Sequence, residues 1–381
     1  MNDMWDTQLS STVREVLRRF LIRPFLNIVG PSRNYKAIFT TVFSLFILFY
    51  AFCVYKIVQL LNFILSVESL KQALAWSKLP FFRLEYWPLA AGIFFAVITI
   101  IVSLKKSLEL TAGDGSELIE RIGGLKLGQR YSYEAPFGQK QQQALEAAAN
   151  ELAAELKIPK PKLYILPWEN SVNSLSCGLT PETSAVAFTN GVMAYLNQEE
   201  LYALAAYEFL RIKKGATALQ TRLLSRLYGF FFISLTGRWL THGRHWQWVP
   251  WVGEIVLRIL GGIGFWLGSW FQAWYSYGEA LAADKSAAAF LKEKGQTVDI
   301  SRVLEKVLGC AWEGRIKNEV IADLRPLFFV NPVFESWLNC HPPLRERIFD
   351  NNPDWKGHRE PLMPPNERYL GGRIISGRPR R

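Results

Sequence analysis

Cysteine and histidine are scarce in this chain of 381 residues, four of each. Cys53, Cys177, Cys310 and Cys340 show no paired metal-type spacing and are too few and scattered for a disulfide framework, so they read as reduced thiols facing a reducing compartment. A glycine loop of the phosphate-cradling kind is missing, and no Ser, His and Asp stand together at a motif-like turn. No cleavable signal peptide is expected, because the first 36 residues are charged and the first apolar run comes late. Lys and Arg outnumber Asp and Glu to give a net charge of +11, but they are spread along the chain and flank apolar runs. That distribution argues against nucleic acid as a partner.

What the chain has in quantity is apolar and aromatic surface: half its residues are hydrophobic, with 14 Trp and 25 Phe. The mean hydropathy of +0.06 averages very apolar and very polar blocks. Residues 1–36 include TVREVLRRFLIRPFL, in which Val13, Val16, Leu17, Phe20 and Leu21 recur at helical spacing and Arg14, Arg18, Arg19 and Arg23 take the other face. This basic amphipathic segment either packs on its own domain or lies on an anionic membrane surface. Residues 37–106 follow as a transmembrane hairpin, with charge-free stretches Ala37 to Tyr55 and Tyr86 to Leu104. Arg and Lys36 before the first stretch, with Lys105 and Lys106 after the second, outweigh the cations of the connection. Both flanks are therefore expected in the cytoplasm, with membrane lipids as one partner.

From 107 to 226 the composition is that of a soluble domain, with a helical KQQQALEAAANELAAELK, strand-like runs at KLYILP, Asn173 to Gly178 and Ala185 to Thr189, and a helix capped by Asn197. Residues 227–275 form a second apolar hairpin, spanning or re-entrant, where Glu254 and Arg258 stand i, i+4 and Trp266, Trp270 and Trp274 make a helical stripe. Residues 276–350 return to soluble character, and 351–381 form a basic tail rich in Pro and Gly.

The helix after Asn197 carries AYEFLRIKKGA, with Glu208 between Tyr207 and Arg211. A zinc peptidase would have His at both flanking positions, in H-E-x-x-H. The ordered run VNSLSCGLTPETSAVAFTNGVMAYLNQEELYALAAYEFLRIKKGA, followed by YGEALAADKSAA and HPPLRERI, resembles the HtpX-like membrane zinc metallopeptidases. That gluzincin group includes the CAAX prenyl proteases, and the similarity covers about residues 37 to 350. It implies an α+β, mainly helical fold: a gluzincin-like metallopeptidase domain with transmembrane helical hairpins.

The resemblance also implies roles, residue by residue. Asn173, Ser174, Leu175 and Gly178 fall on the edge strand that holds substrate backbone, and Glu208 on the general base. Tyr207 and Arg211 stand at the two His ligand positions, while Ala280, or Glu279 one residue early, stands at the third. Asp284, His341, Pro342, Pro343 and Arg347 match the family's later motifs. Zinc chemistry needs all three ligands, because the metal lowers the pKa of its water from about 15.7 to about 7 before the Glu takes the proton. Tyr is a poor ligand at neutral pH, and Arg is always protonated. Here Glu208 would be a vestigial base, paired with Arg211 on the same helix face.

His242 and His245 form an H-x-x-H with no nearby acid, and Cys340 beside His341 is a weak pair, so neither rebuilds a zinc site. The resulting expectation is a membrane-anchored, catalytically inactive peptidase-like protein with no metal cofactor, located in a bacterial inner membrane. It would bind membrane or unfolded protein segments in quality control or modulate an active protease. The rival readings are an active zinc metalloendopeptidase and a structural subunit of a membrane complex.

Overall fold

A computed structural model describes residues 35–66, 87–112, 114–128, 139–242, 251–310, 314–316, 324–332 and 341–357. The amphipathic segment before 35, the pairs involving His245 and Cys340, and the tail after 357 lie outside the described residues. The chain divides into two compact units, one of residues 1–108 with 225–271, the other of 109–224 with 272–381.

In the first unit, α1 (Tyr35–Ser66) and α2 (Trp87–Ala112) are long helices without acidic residues in the first turn or basic ones in the last. Both helices expose large apolar side chains; α1 also buries Ile47, Val54 and Val58, whereas the buried positions of α2 include the polar Thr99 and Ser103. Leu45, Leu48, Phe49, Phe52, Ile93, Phe94, Ile101 and Leu104 are exposed, while Tyr50, Thr99 and Ser103 are buried. The Thr99 hydroxyl donates to the Phe95 carbonyl at 2.8 Å, and Ser103 Oγ to the Arg226 carbonyl at 2.6 Å. Close approach between helices is set by glycine: a Cβ on Gly92 would meet the Ala51 carbonyl oxygen at 2.9 Å, and one on Gly229 the Thr99 oxygen at 2.2 Å. Among the described residues no helix is long and apolar enough to cross a membrane. The spans expected within 37–106 and 227–275 are therefore not found there as membrane crossings.

The second unit is a small sheet covered by helices. Its elements are α3 (Gly115–Arg121), β1 (Leu125–Lys126), α4 (Gln139–Leu156), β2 (Lys162–Leu166), β3 (Ser174–Cys177), β4 (Ala185–Thr189), α5 (Asn190–Tyr195) and α6 (Gln198–Lys213). α7 (Ala216–His242) and α8 (Trp251–Glu293) contribute residues to both units, and α9 (Ile300–Gly309) and α10 (Leu344–Asn351) complete the set. Strand order is β1-β2-β4-β3, with β2 parallel to β4 and both outer pairings antiparallel. The mainly helical α+β architecture expected from the sequence is present.

Local chemistry sets α6. The Asn197 side chain accepts from the Glu200 amide at 2.8 Å, and Glu200 Oε2 accepts from the Asn197 amide at 2.9 Å, a reciprocal cap. Every residue from Glu200 to Ile212 is buried, so α6 is the central helix and is covered on all faces. It packs on α4, and Leu201, Ala205, Phe209 and Ile212 join Leu145, Ala149, Leu152, Val186 and Phe188 in the main core. Burial of this kind forces any charge on α6 to find a partner inside the protein.

The candidate site, a guanidinium between two carboxylates

Glu208 is fully buried, and both of its oxygens are engaged. Oε1 accepts from Ser174 Oγ of β3 at 2.7 Å, and Oε2 accepts from Arg211 Nη1 at 3.0 Å. Arg211 is equally enclosed. Its Nη1 lies 3.3 Å from both Ser176 Oγ and the Leu327 carbonyl, and its Nη2 donates to the Pro326 carbonyl at 3.5 Å. On its far side Nε comes within 3.6 Å of Glu279 Oε1 without a hydrogen bond, and the guanidinium lies 5.6 Å from the Tyr207 ring centroid. Burial alone would lower the Arg211 pKa, but Glu279 and Glu208 raise it above its ordinary value, so the guanidinium stays charged.

Glu279, not Ala280, is the α8 residue that reaches this centre. Ala280 is buried. α8 is continuous through both positions, so no local insertion is needed to turn the carboxylate toward Arg211. Glu279 Oε2 also accepts from Gln220 Nε2 at 3.2 Å, and Gln220 Oε1 accepts from Ser276 Oγ at 3.0 Å. Ser174, Ser176, Gln220 and Ser276 are functional-looking neighbours of which only Ser174 stood out in the sequence. The alternation along SLSC, which turns both serines to one face of β3, was the available signal.

A second buried pair braces the first. Arg347 grips Asp284 with two bonds of 2.7 Å and donates from Nη1 to the Phe329 carbonyl at 2.6 Å. Its guanidinium stands 4.7 Å from the Phe329 ring and 5.9 Å from the Tyr207 ring. Tyr207 meets Phe329 edge to face at 4.8 Å, and burial pushes its phenol far above the ordinary value. His341 Nε2 lies 2.8 Å from the Arg325 carbonyl, while Nδ1 has no partner; burial lowers its pKa to about 3. Pro343 precedes α10 as its N-cap, after Pro342.

Asn173 and Gly178 bracket β3. Asn173 Nδ2 donates to the carbonyls of Gly314 at 2.7 Å and Val330 at 3.1 Å, and its Oδ1 accepts from the Val330 amide at 3.2 Å. Gly178 has φ +139, and an added Cβ would sit 2.6 Å from Ser184 Cα. β3 is an outer strand, yet its outer edge is not open, because Leu175 pairs with Phe328 in an antiparallel bridge. The strand expected to pair with a peptide thus pairs, at Leu175, with the chain's own Phe328.

The peptidase family M48 model matches residues 139–350, which hold every group just described. The chain belongs to that family. Relatives named Protease HtpX homolog are similar to this chain, three of them as follows. That of Thermococcus sibiricus is 30% identical over 217 residues, covering 52% of this chain and 68% of that protein. Those of Desulfatibacillum aliphaticivorans and Pyrococcus furiosus are 28% and 29% identical, over 54% of this chain and 67% and 71% of theirs. No solved structure matches the chain.

Zinc, which the resemblance to HtpX-like metallopeptidases implies, does not fit the residues present. Among the described residues no three His, Cys, Asp or Glu side chains are grouped so as to hold a metal ion. At the positions matched to the family's ligands, a protonated phenol and a cation accompany Glu279, and the cation already lies between the two carboxylates. A guanidinium has no lone pair to give and repels a dication at this range.

Proposed function

We propose that this M48 protein is a membrane-anchored, peptidase-like binding protein in which an internal ion cluster takes the place of the zinc centre. The observation that carries the reading is the Arg211 guanidinium held between Glu208 at 3.0 Å and Glu279 at 3.6 Å, with full burial of the first carboxylate. Two carboxylates around one fixed cation keep the fold's charge arrangement and leave no reactive water for Glu208 to deprotonate. The reading assigns binding to β3, whose outer edge Phe328 and Phe329 occupy at Leu175 and Ser174. An extended segment of an unfolded or membrane protein added to β3 needs main-chain hydrogen bonds and apolar pockets, and no metal.

The exposed Leu, Ile and Phe of α1 and α2, with Thr99 and Ser103 buried on α2, support placing the first unit in lipid, where hydrocarbon is the solvent. Glycines at the closest helix approaches fit the same setting. The cation bias around 37–106 supports a cytoplasmic second unit. A membrane-impermeant thiol reagent applied to intact cells should then label a Cys placed near residue 72 and spare one near residue 140; the opposite pattern refutes this topology.

The catalytic part is tested on full-length protein purified in detergent without chelator. Expected are well under one zinc per chain, no cleavage of an unfolded substrate, and no change in either with Glu208→Gln. The alternative, an active zinc endopeptidase, draws on the relatives' printed name. Stoichiometric zinc, with cleavage abolished by Glu208→Gln, would establish it instead.

A further inference from the structure

Within the first unit, the apolar surface of α2 ends at a level where cations and indoles gather. Exposed apolar side chains run along α2 from Leu89 and Ile93 to Ile101 and Leu104, and the next residue, Lys105, is also exposed. The bond from Ser103 Oγ to the Arg226 carbonyl at 2.6 Å sets α2 against α7 and brings Arg226 to that same level. Gly229, which lies against Thr99 and Ser103, continues the register toward the apolar side. Positive charge is in excess here. α7 has no acidic residue in its 27 positions, and on α2 the one acidic residue, Glu109, follows two cations, Lys105 and Lys106.

α8 brings the indoles. It returns along the chain in the direction opposite to α7, and Ser276 Oγ donates to Gln220 Oε1 at 3.0 Å. Counting six residues along each continuous helix, at about 1.5 Å per residue, places Trp270 at the level of Arg226. Trp270 stacks on Trp266, with ring centroids 6.5 Å apart and planes 7° from parallel, and Trp266 is 42% exposed. Two turns farther from the second unit, Ile259 is exposed as well. Lys105, Arg226, Trp266 and Trp270 thus share one level of the first unit, with apolar surface beyond it.

Indoles and cations at the end of an apolar face are what the boundary between hydrocarbon and headgroups selects, because Trp is apolar with one polar N–H and Lys and Arg attract phosphate. We infer that Lys105, Arg226 and the Trp266–Trp270 pair form a headgroup site for an anionic phospholipid, whose acyl chains lie along the exposed face of α2. Charge and polarity together name the occupant. The cations select an anion, and the adjoining Leu104 and Ile101 select one that carries hydrocarbon. A soluble phosphate meets only the first requirement. The inference deepens the membrane placement proposed above and rests on it.

The test is native mass spectrometry of full-length protein in detergent, titrated with phosphatidylglycerol or with phosphatidylcholine of the same acyl chains. Expected is tighter binding of phosphatidylglycerol, weakened about fivefold by Lys105→Gln and by Arg226→Gln. Arg226→Lys should restore it, and Lys292→Gln, at an exposed cation of α8 in the second unit, should leave it unchanged. Lys105 is exposed, so its variant tests the site without disturbing the fold. Equal affinity for the two lipids, a preference untouched by Lys105→Gln and Arg226→Gln, or displacement of the lipid by an equal concentration of glycerol phosphate overturns the inference. Flotation with phosphatidylcholine vesicles that survives an alkaline wash reports membrane placement separately. Flotation without headgroup preference removes the site and leaves the placement standing, whereas failure to float removes both.

Discussion

Removing the guanidinium of Arg211 should cost the second unit far more than removing its partner's charge. In Arg211→Met the Glu208 carboxylate stays fully buried with one remaining bond, from Ser174 at 2.7 Å. Stranding a buried charge in this way costs about 3–5 kcal/mol, and the lost bonds to Ser176, Leu327 and Pro326 act in the same direction. Glu208→Gln keeps an acceptor for Ser174 and leaves Arg211 with Glu279, so a loss of about 1–3 kcal/mol is expected. The double variant removes both charges and leaves a neutral amide hydrogen-bonded to Ser174. It should be more stable than the sum of the singles predicts, by roughly 1–3 kcal/mol. The assay is hydrogen exchange of the Val186–Phe188 amides in detergent-solubilised full-length protein, which reports the unit that holds the pair. There Arg211→Met should speed exchange by about 10² to 10⁴, at roughly 1.4 kcal/mol per factor of ten. Additive effects in the cycle would refute the reasoning, because they would mean that the two groups do not compensate each other.

Further perturbations probe the surrounding shell. Asp284→Asn should destabilise by about 3–5 kcal/mol, since it leaves Arg347 buried without its bidentate carboxylate, as read by the same exchange. Gly178→Ala should also be costly, because φ +139 and the 2.6 Å approach to Ser184 leave no room for a Cβ; unchanged stability would show that the β3–β4 turn relaxes freely. His341 gives a pH signature. Its folded pKa of about 3 lies below the ordinary value of 6.5, so between these the unfolded state takes up the proton. Stability should be full above about pH 6.5 and fall as pH drops toward 3, by up to about 1.4 kcal/mol per unit, and His341→Gln should flatten that slope. Finally, Tyr207→His/Arg211→His should gain zinc affinity with Glu279 untouched, whereas adding Ala280→Glu should contribute nothing; metal content by mass spectrometry distinguishes the two.

Much of the second unit was legible from local pattern. Asn197 and Glu200 announced the start of α6 because a reciprocal cap needs only residues three apart. The β3 and β4 runs were visible as short β-type segments between turn residues. Glu208 and Arg211, also three apart on one helix, were foreseeable as a pair. What was not legible depends on distance along the chain. Nothing in FFVNP marks it as a partner of Ser174, more than a hundred residues away, and Arg347 shows no sequence sign of gripping Asp284. The choice between Ala280 and Glu279 is of the same kind. Aligning Asp284 with its family counterpart selects Ala280, but the rotation of α8 against α6 decides which side chain faces Arg211, and that rotation is a packing outcome.

These long-range contacts show how the fold accommodates a buried Glu208 beside Arg211. In a buried centre a carboxylate must be compensated by a cation, whether a metal ion or a guanidinium. A metal supplies its charge at one point and demands lone pairs arranged around it. Arg211 supplies the same sign from within the chain and distributes donors outward instead, to Glu208, Ser176, Leu327 and Pro326. On the proposed reading, a donor fork in place of ligands would reverse what the centre attracts, because its N–H groups seek carbonyl oxygen where a ligand would give a lone pair to zinc. A peptide backbone is a source of such oxygens, and the segment from Pro326 to Phe329 already provides two. On the function proposed above, an Arg at position 211, where the resemblance implies a His, would make the centre one that holds a carbonyl oxygen instead of polarising it.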